Sequence, residues 1–251
     1  TERRVVANAI LAKCDALDGL ADGLVQDPEA CRNAFDVVRD VPTCSGARDG
    51  SCLTADQKSV LRDVFAGARN SKGEALYSRW PFDAGMVQTG WADWKFRNAI
   101  RGGRDPVAVA HIFSVPPVTT ALPNTLAYAL AFNVDTDAPK IFATDSVYTE
   151  SAMAFMTPPE PTNLDTLRKR GAKMLVFHGL SDGVFSPDDT AAWYDALDRR
   201  LGNTAARAVR FFRVPGMGHS RGGPSTDQFD GLQALVDWVE KGVAPERIVA
   251  S

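Results

Sequence analysis

The chain has 251 residues, 45% of them apolar and 24% charged, enough ordinary globular material for one large or two modest cores, which excludes a low-complexity or disordered polymer. Its 28 Lys and Arg against 31 Asp and Glu leave a formal charge of -3 with the basic residues scattered, so nothing favours nucleic acid or an anionic membrane as a partner. No apolar run approaches the roughly 20 residues of a membrane span.

The opening stretch TERRVVANAILAKCD lacks the long apolar segment and the cleavage site of a signal peptide, so the expectation is a cytosolic chain or one whose signal has been removed. Next comes CDALDGLADGLVQDP, which places Asp15, Asp18, Asp22 and Asp27 among Gly19 and Gly23. Hard cations need six to eight oxygens, and closely spaced carboxylates on glycine-permitted turns can supply them, although the spacing is not that of an EF-hand. The simpler reading is a solvated Asp-Gly turn region. All four cysteines, Cys14, Cys31, Cys44 and Cys52, fall in the first 52 residues without the spacing or the histidines of a zinc site. Pairing Cys14 with Cys31 and Cys44 with Cys52 closes short local loops and implies an oxidising compartment; four free buried thiols are the alternative.

Residues 1–162 are otherwise irregular, with Pro-Pro pairs at 116 and 158, Gly-Gly at 102 and clustered aromatics in SRWPFDAGMVQTGWADWKF. Their clear helix starts after Thr54, where Thr54 and Gln57 form a capping box and Val60, Leu61, Val64 and Phe65 make an apolar stripe. From 163 the texture becomes regular. KMLVFHG reads as a buried strand, and Ser186 as N-cap with Pro187 at the first position opens a helix carrying Trp193, Leu197 and Leu201, closed by Gly202. ARAVRFFRV reads as a second strand, followed by the loop PGMGHSRGGPS and a helix predicted from Thr226 to Lys241 with Phe229, Leu232, Val236 and Val239, stopped by Gly242. Strand, helix, strand, helix is the order of a parallel α/β sheet, and two strands are too few for one, so the tail reads as the end of a larger α/β domain.

Gly179-Leu180-Ser181-Asp182-Gly183 matches the Gly-x-Ser-x-Gly pattern of a nucleophile elbow. In an elbow the helix begins at once, whereas here the cap lies about five residues on, and an acid for Ser181 would have to come from the following helix. Asp182 fits another role, that of a triad acid at the carboxyl edge of the sheet, facing His219 on the loop after the next strand. An N-capping loop aspartate and a surface histidine are the bland alternative. His178, ending a strand, and His111, in VAVAHIFSV, read as packed structural histidines.

These pieces together resemble the tannase and feruloyl esterase family, in CDALDGLADGLVQDPEAC, CLTADQKSVL, TDAPKIFATDSVYTESAMAFMTPP, KMLVFHGLSDGVFSP and VPGMGHSRGGPSTDQFDGLQALVDWVEKGVAPERI. The resemblance covers nearly the whole chain and implies an α/β-hydrolase with a large lid inserted before the acid-bearing strand. Residues 1–162 would be lid, and 163–251 the carboxyl-terminal part of the core. It implies a secreted or periplasmic carboxylic ester hydrolase acting on esters of aromatic acids through an acyl-enzyme, with Asp182 as acid and His219 as base. It implies calcium held by the carboxylates of Asp15, Asp18 and Asp22 and the carbonyls of Leu20 and Leu24, and lid disulfides Cys14–Cys31 and Cys44–Cys52. Where the family often has cysteine after the base, here stands Ser220, so a bridge between nucleophile and base loops cannot form. The nucleophilic serine and its oxyanion hole belong to a segment before the lid, so the missing amino-terminal part is the expected partner and the 251 residues alone are expected to be inactive. Trp91, Trp94, Phe113 and the arginines at 97, 101 and 104 are candidates to hold an aromatic acyl group. The competing class is a non-catalytic, calcium-stabilised module that binds aromatic ligands.

Overall fold

A computed structural model describes residues 2–101, 103–121 and 124–251; Gly102 of the Gly-Gly turn signal lies outside them. The chain divides into two compact units, one of residues through Ala66, Ser78–Trp91 and Thr162–Ser251, the other of Gly67–Tyr77 and Ala92–Pro161. This division differs from the 162/163 boundary drawn on texture. Much of the first 91 residues packs with the tail through single polar contacts that texture does not encode: Arg32 with Asp188 at 2.6 Å, Trp80 Nε1 with the Asp182 carbonyl at 3.0 Å, and Gly216 N–H with Asp83 at 3.0 Å.

In the first unit, α1 (Glu2–Cys14) buries Val6, Ala7, Ile10 and Cys14 along one side. Asp27 caps α2 (Pro28–Ala34) by accepting the Ala30 N–H, and Pro28 at the first position gives up no helical hydrogen bond. The capping box of α3 (Ala55–Ala66) forms as read, with Thr54 N–H on Gln57 Oε1 at 2.9 Å and Gln57 N–H on Thr54 Oγ1 at 3.2 Å. The α3 stripe is narrower than its sequence suggests: Leu61 and Phe65 are buried, Val60 is 57% exposed, and the inner face takes Lys58 instead. The Lys58 ammonium is satisfied there by the Val38 carbonyl at 2.8 Å and Thr43 Oγ1 at 2.6 Å. Phe65, Phe82 and Phe35 stack edge to face with centroids 4.9 Å apart.

The strands β1 (Met174–Gly179) and β2 (Val209–Val214) pair in parallel, Met174 opposite Val209 through Gly179 opposite Val214. They are joined by α4 (Pro187–Arg200), whose cap Ser186 accepts the Asp188 N–H and whose end is followed by Gly202 at φ 61°. A core forms where Leu197 of α4 meets Ala205, Ala208 and Val209, with Leu164, Leu167, Met174 and Trp193 around it. The last helix, α5 (Gly231–Lys241), starts five residues later than Thr226, because Asp230 takes the cap by accepting the Gln233 N–H and Phe229 instead bridges to Ala250 in the tail. Its buried face is Trp238; Leu232 is 73% and Val239 56% exposed. Among the described residues no strand precedes Met174.

The second unit is built from short helices, including Arg104–His111, Thr125–Leu130 and Ala152–Met156. Ser71 N–H on Asp135 Oδ1 at 2.9 Å ties its two chain segments together. It holds an apolar cavity of about 430 Å³ lined by His111, Ile112, Val115, Tyr148, Phe155 and Met156.

Candidate active site

β1 and β2 run side by side and in the same direction, so the loops leaving their carboxyl ends emerge together. The first carries Asp182 and the second His219. Gly179, the last residue of β1, passes so close to the second loop that a Cβ on it would lie 2.3 Å from the Met217 carbonyl oxygen. Ser181 N–H donates to that carbonyl at 2.9 Å, which registers the loops on each other.

Asp182 Oδ2 accepts from His219 Nδ1 at 2.8 Å. The same oxygen accepts from His178 Nε2 at 3.1 Å, and Oδ1 accepts the N–H groups of Val184 at 2.7 Å and Phe185 at 3.1 Å. The Asp182 side chain is 4% exposed and that of His219 42%, so the carboxylate is shielded while the imidazole faces outward. Burial pushes the Asp182 carboxyl up, but donors from His178, His219 and the two amides outweigh it and hold the group below its usual value. With its Nδ1 proton on the carboxylate, His219 carries its basic lone pair on Nε2, the tautomer a general base requires. A cavity of about 180 Å³ opens here, lined by Phe177, His178, Phe185 and His219, with the Phe185 ring 5.7 Å from the imidazole.

Sequence reasoning missed three contributors. His178, read as structural, donates to the acid while its Nδ1 accepts from Thr190 Oγ1 at 2.8 Å, a contact set by the inward turn of one β1 side chain and the first turn of α4. Trp80 secures the Asp182 main chain through Nε1 on its carbonyl. Asp83, fully buried, hydrogen-bonds Ser181 Oγ, Gly85 N–H and Gly216 N–H. Ser181 itself is 3% exposed and its hydroxyl is spent on Asp83, which removes it as a nucleophile despite its Gly-x-Ser-x-Gly setting.

Both disulfides, Cys14–Cys31 and Cys44–Cys52, are present, and no cysteine is free. The first closes the acidic loop. There Asp15 Oδ1 accepts the N–H groups of Asp22 and Gly23, Asp18 the N–H of Leu20, and Asp22 the N–H of Leu24. Asp18, Leu20 and Asp22 are exposed, and none of the three aspartates enters an ion pair among the described residues. The donor chemistry suits a hard cation. The three carboxylates do not converge as a ligand cluster, since no group of three His, Cys, Asp or Glu does so among the described residues.

The aromatic candidates separate. Trp91 is 4% exposed, its ring covered by Phe65 at 5.9 Å, so it is a core residue rather than a stacking surface. Trp94 and Phe113 are half-buried in the second unit, where the Arg104 guanidinium lies 3.8 Å over the Trp94 ring and Arg97 pairs with Asp93 at 2.6 Å; Arg101 is exposed.

No helix among the described residues is long and apolar enough to cross a membrane. Residues 2–251 match the model of a family described as tannase and feruloyl esterase. The chain is 38% identical over 268 residues to mono(2-hydroxyethyl) terephthalate hydrolase of Piscinibacter sakaiensis, covering 98% of this chain and 44% of that protein. It is 28% identical over 263 residues to probable feruloyl esterase B of Emericella nidulans, covering 97% and 45%. Its fold resembles the crystal structure of feruloyl esterase B from Aspergillus oryzae, with a TM-score of 0.62, 23% identity and coverage of 98% and 48%. Tannin acyl hydrolase from Aspergillus niger aligns with a TM-score of 0.68, 19% identity and coverage of 100% and 47%. The chain thus spans less than half the length of these relatives. With all but its first residue inside the match, the chain belongs to the tannase and feruloyl esterase family.

Proposed function

We propose that this chain is the lid and carboxyl-terminal core of an α/β-hydrolase that cleaves esters of aromatic acids, of the feruloyl, galloyl or terephthaloyl type. The observation that carries the reading is Asp182 Oδ2 on His219 Nδ1 at the carboxyl edge of a parallel strand pair. In the proposed reaction a serine from outside the 251 residues attacks the ester carbonyl, and His219 Nε2 takes its proton. The imidazole then returns that proton to the leaving alcohol as the carbonyl re-forms, giving an acyl-enzyme. Water, deprotonated by the same nitrogen, releases the acid and the free serine. Asp182 fixes the imidazole tautomer and stabilises the imidazolium throughout.

Two further observations support the reading. A two-stranded parallel pair with Phe177 of β1 45% exposed, beside a helix α5 that leaves Leu232 and Val239 uncovered, is consistent with further core strands in a missing amino-terminal part. Phe185 presents an aromatic face beside the base, 57% exposed, fitting an aromatic acyl group. The disulfides fit a secreted or periplasmic protein. The loop of Asp15, Asp18 and Asp22, with the carbonyls of Leu20 and Leu24, is proposed to hold a structural calcium that draws the three carboxylates together.

The test is labelling of the intact native protein with a serine-directed phosphonate, together with assays on methyl ferulate, methyl gallate and mono(2-hydroxyethyl) terephthalate. A labelled serine outside these 251 residues and turnover of at least one ester are expected. Turnover by the 251 residues alone that Ser181→Ala abolishes would overturn the assignment.

A further inference from the structure

We propose that Asp83 is a positioning residue for the Asp182–His219 pair, a buried carboxylate to which the acid loop and the base loop are both moored; the inference rests on the esterase reading above. Asp83 is 2% exposed. Its Oδ1 accepts the Gly85 N–H at 2.8 Å and the Ser181 hydroxyl, and its Oδ2 accepts the Gly216 N–H at 3.0 Å. Ser181 is the residue before the acid, and Gly216 stands three before the base. One carboxylate thus holds the chain next to both.

The same segment grips the base loop a second time. Gln88 Nε2 donates to the Gly216 carbonyl at 3.1 Å, so the Gly216 residue is held through its N–H by Asp83 and through its carbonyl by Gln88. The approach is too close for a side chain to intervene. A Cβ on Gly85 would lie 2.2 Å from the Gly216 oxygen and 2.6 Å from Ser181 Oγ. The loop carrying His219 contains Gly216, Gly218, Gly222 and Gly223, and Ser220 adds a left-handed φ of 69°; Gly218 N–H on the Gly222 carbonyl at 2.9 Å closes the turn around the histidine, and the bonds on Gly216 tie that turn to the rest of the site. With no cysteine beside His219, the base loop is held to the acid loop by hydrogen bonds alone: the Ser181 N–H on the Met217 carbonyl, and the Asp83 and Gln88 bonds on Gly216. Burial raises the Asp83 pKa while its three donors oppose the rise, as for a group whose value to the protein lies in accepting hydrogen bonds in a closed place.

The rival account is a polar knot that only stabilises the fold. Asp83→Asn discriminates, because one carboxamide face is a donor and must oppose either Gly216 N–H or Gly85 N–H. In the intact native protein, Asp83→Asn should lower kcat about 10²-fold with KM within about threefold, as expected for a displaced catalytic group. Ser181→Ala, which spares both backbone mooring bonds, should lower kcat several-fold. The downfield imidazole Nδ1–H resonance of His219, read by NMR, should be lost to solvent exchange in Asp83→Asn and retained in Ser181→Ala. Leu61→Ala in α3, chosen to match the loss of melting temperature, should leave both readouts unchanged. Retention of kcat and of the resonance in a folded Asp83→Asn protein would overturn the proposal, as would an equal loss of kcat in Leu61→Ala. If the intact protein hydrolyses no ester, the esterase reading fails, and the resonance still decides whether Asp83 positions His219.

Discussion

Asp182 Oδ2 and His219 Nδ1 lie 2.8 Å apart although 37 positions separate them in the chain. The acid also accepts from His178, so two imidazoles converge on one carboxylate oxygen. In the intact protein, Asp182→Asn should lower kcat about 10⁴-fold, because an amide in that place stabilises the wrong tautomer of His219. His219→Ala should lose several orders of magnitude by removing the base itself, and the two losses should be far from additive. Steady-state kinetics on an aromatic ester checks both; loss of less than tenfold in either variant would exclude the pair from the chemistry.

The two buried aspartates near the site should leave opposite marks on stability. Asp182 is held below its unfolded value of about 3.9, so its contribution is full above about pH 4 and is lost as pH falls through the folded pKa. Asp83 is raised by burial, so its contribution is full below about pH 4 and is lost as pH rises through its folded value. Urea midpoints measured from pH 2 to 8 should fall less steeply on the acid side in Asp182→Asn. The Asp83→Asn protein should lose part of the decline on the side above pH 4. An acid limb identical in wild type and Asp182→Asn contradicts the depressed carboxyl.

Legibility in the sequence followed the range of the interactions. The strands at Met174–Gly179 and Val209–Val214, the Thr54–Gln57 box, the Ser186 cap and the local disulfides were readable because each is written within a few residues or one short loop. The pairing of Asp182 with His219 was readable because parallel strands place successive carboxyl-end loops side by side. Asp83 was not, since nothing local links WPFDAG to a loop 133 positions away, and only the closed fold reveals that Gly216 needs an acceptor there. The start of α5 was misread because Thr226 and Asp230 are both capping types, and a bridge from Phe229 to Ala250 decides between them. Val60, Leu232 and Val239 belong to apolar stripes read from periodicity yet lie exposed, because periodicity gives a face but not what covers it.

The disulfides should differ in weight. Cys14–Cys31 spans 17 positions between two buried residues, whereas Cys44–Cys52 spans 8. On loop closure alone the first should stabilise by about 3 kcal/mol and the second by about 0.7 kcal/mol less. The Cys14→Ala/Cys31→Ala protein should lose more than the loop estimate, because it also removes two sulfur atoms from fully buried positions, whereas Cys44→Ala/Cys52→Ala should stay near it. Chemical denaturation of both double variants gives the comparison, and an equal loss would show that burial around Cys14 and Cys31 adds nothing.

The acidic loop provides the last test, and its logic turns on charge. Asp15, Asp18 and Asp22 sit within eight positions, exposed or half-buried, without an ion pair among the described residues, and each uses a side-chain oxygen to hold loop amides. Those bonds shape the loop but leave three negative charges on one short loop, which a divalent cation would draw together and neutralise in the folded state alone. A metal bound only by the folded state raises stability by RT ln(1 + [L]/Kd), so calcium at about 100-fold over Kd should add about 2.7 kcal/mol and raise the melting temperature measurably. EDTA should reverse the rise, and magnesium, which demands a tighter octahedral set, should substitute poorly. Asp18→Asn and Asp22→Asn should each blunt the calcium response while leaving the metal-free melting temperature nearly unchanged, because an Asn oxygen can still accept the Leu20 or Leu24 N–H. A melting temperature indifferent to calcium and EDTA, with no ion found in the purified protein, would reduce the loop to a solvated turn stapled by Cys14–Cys31.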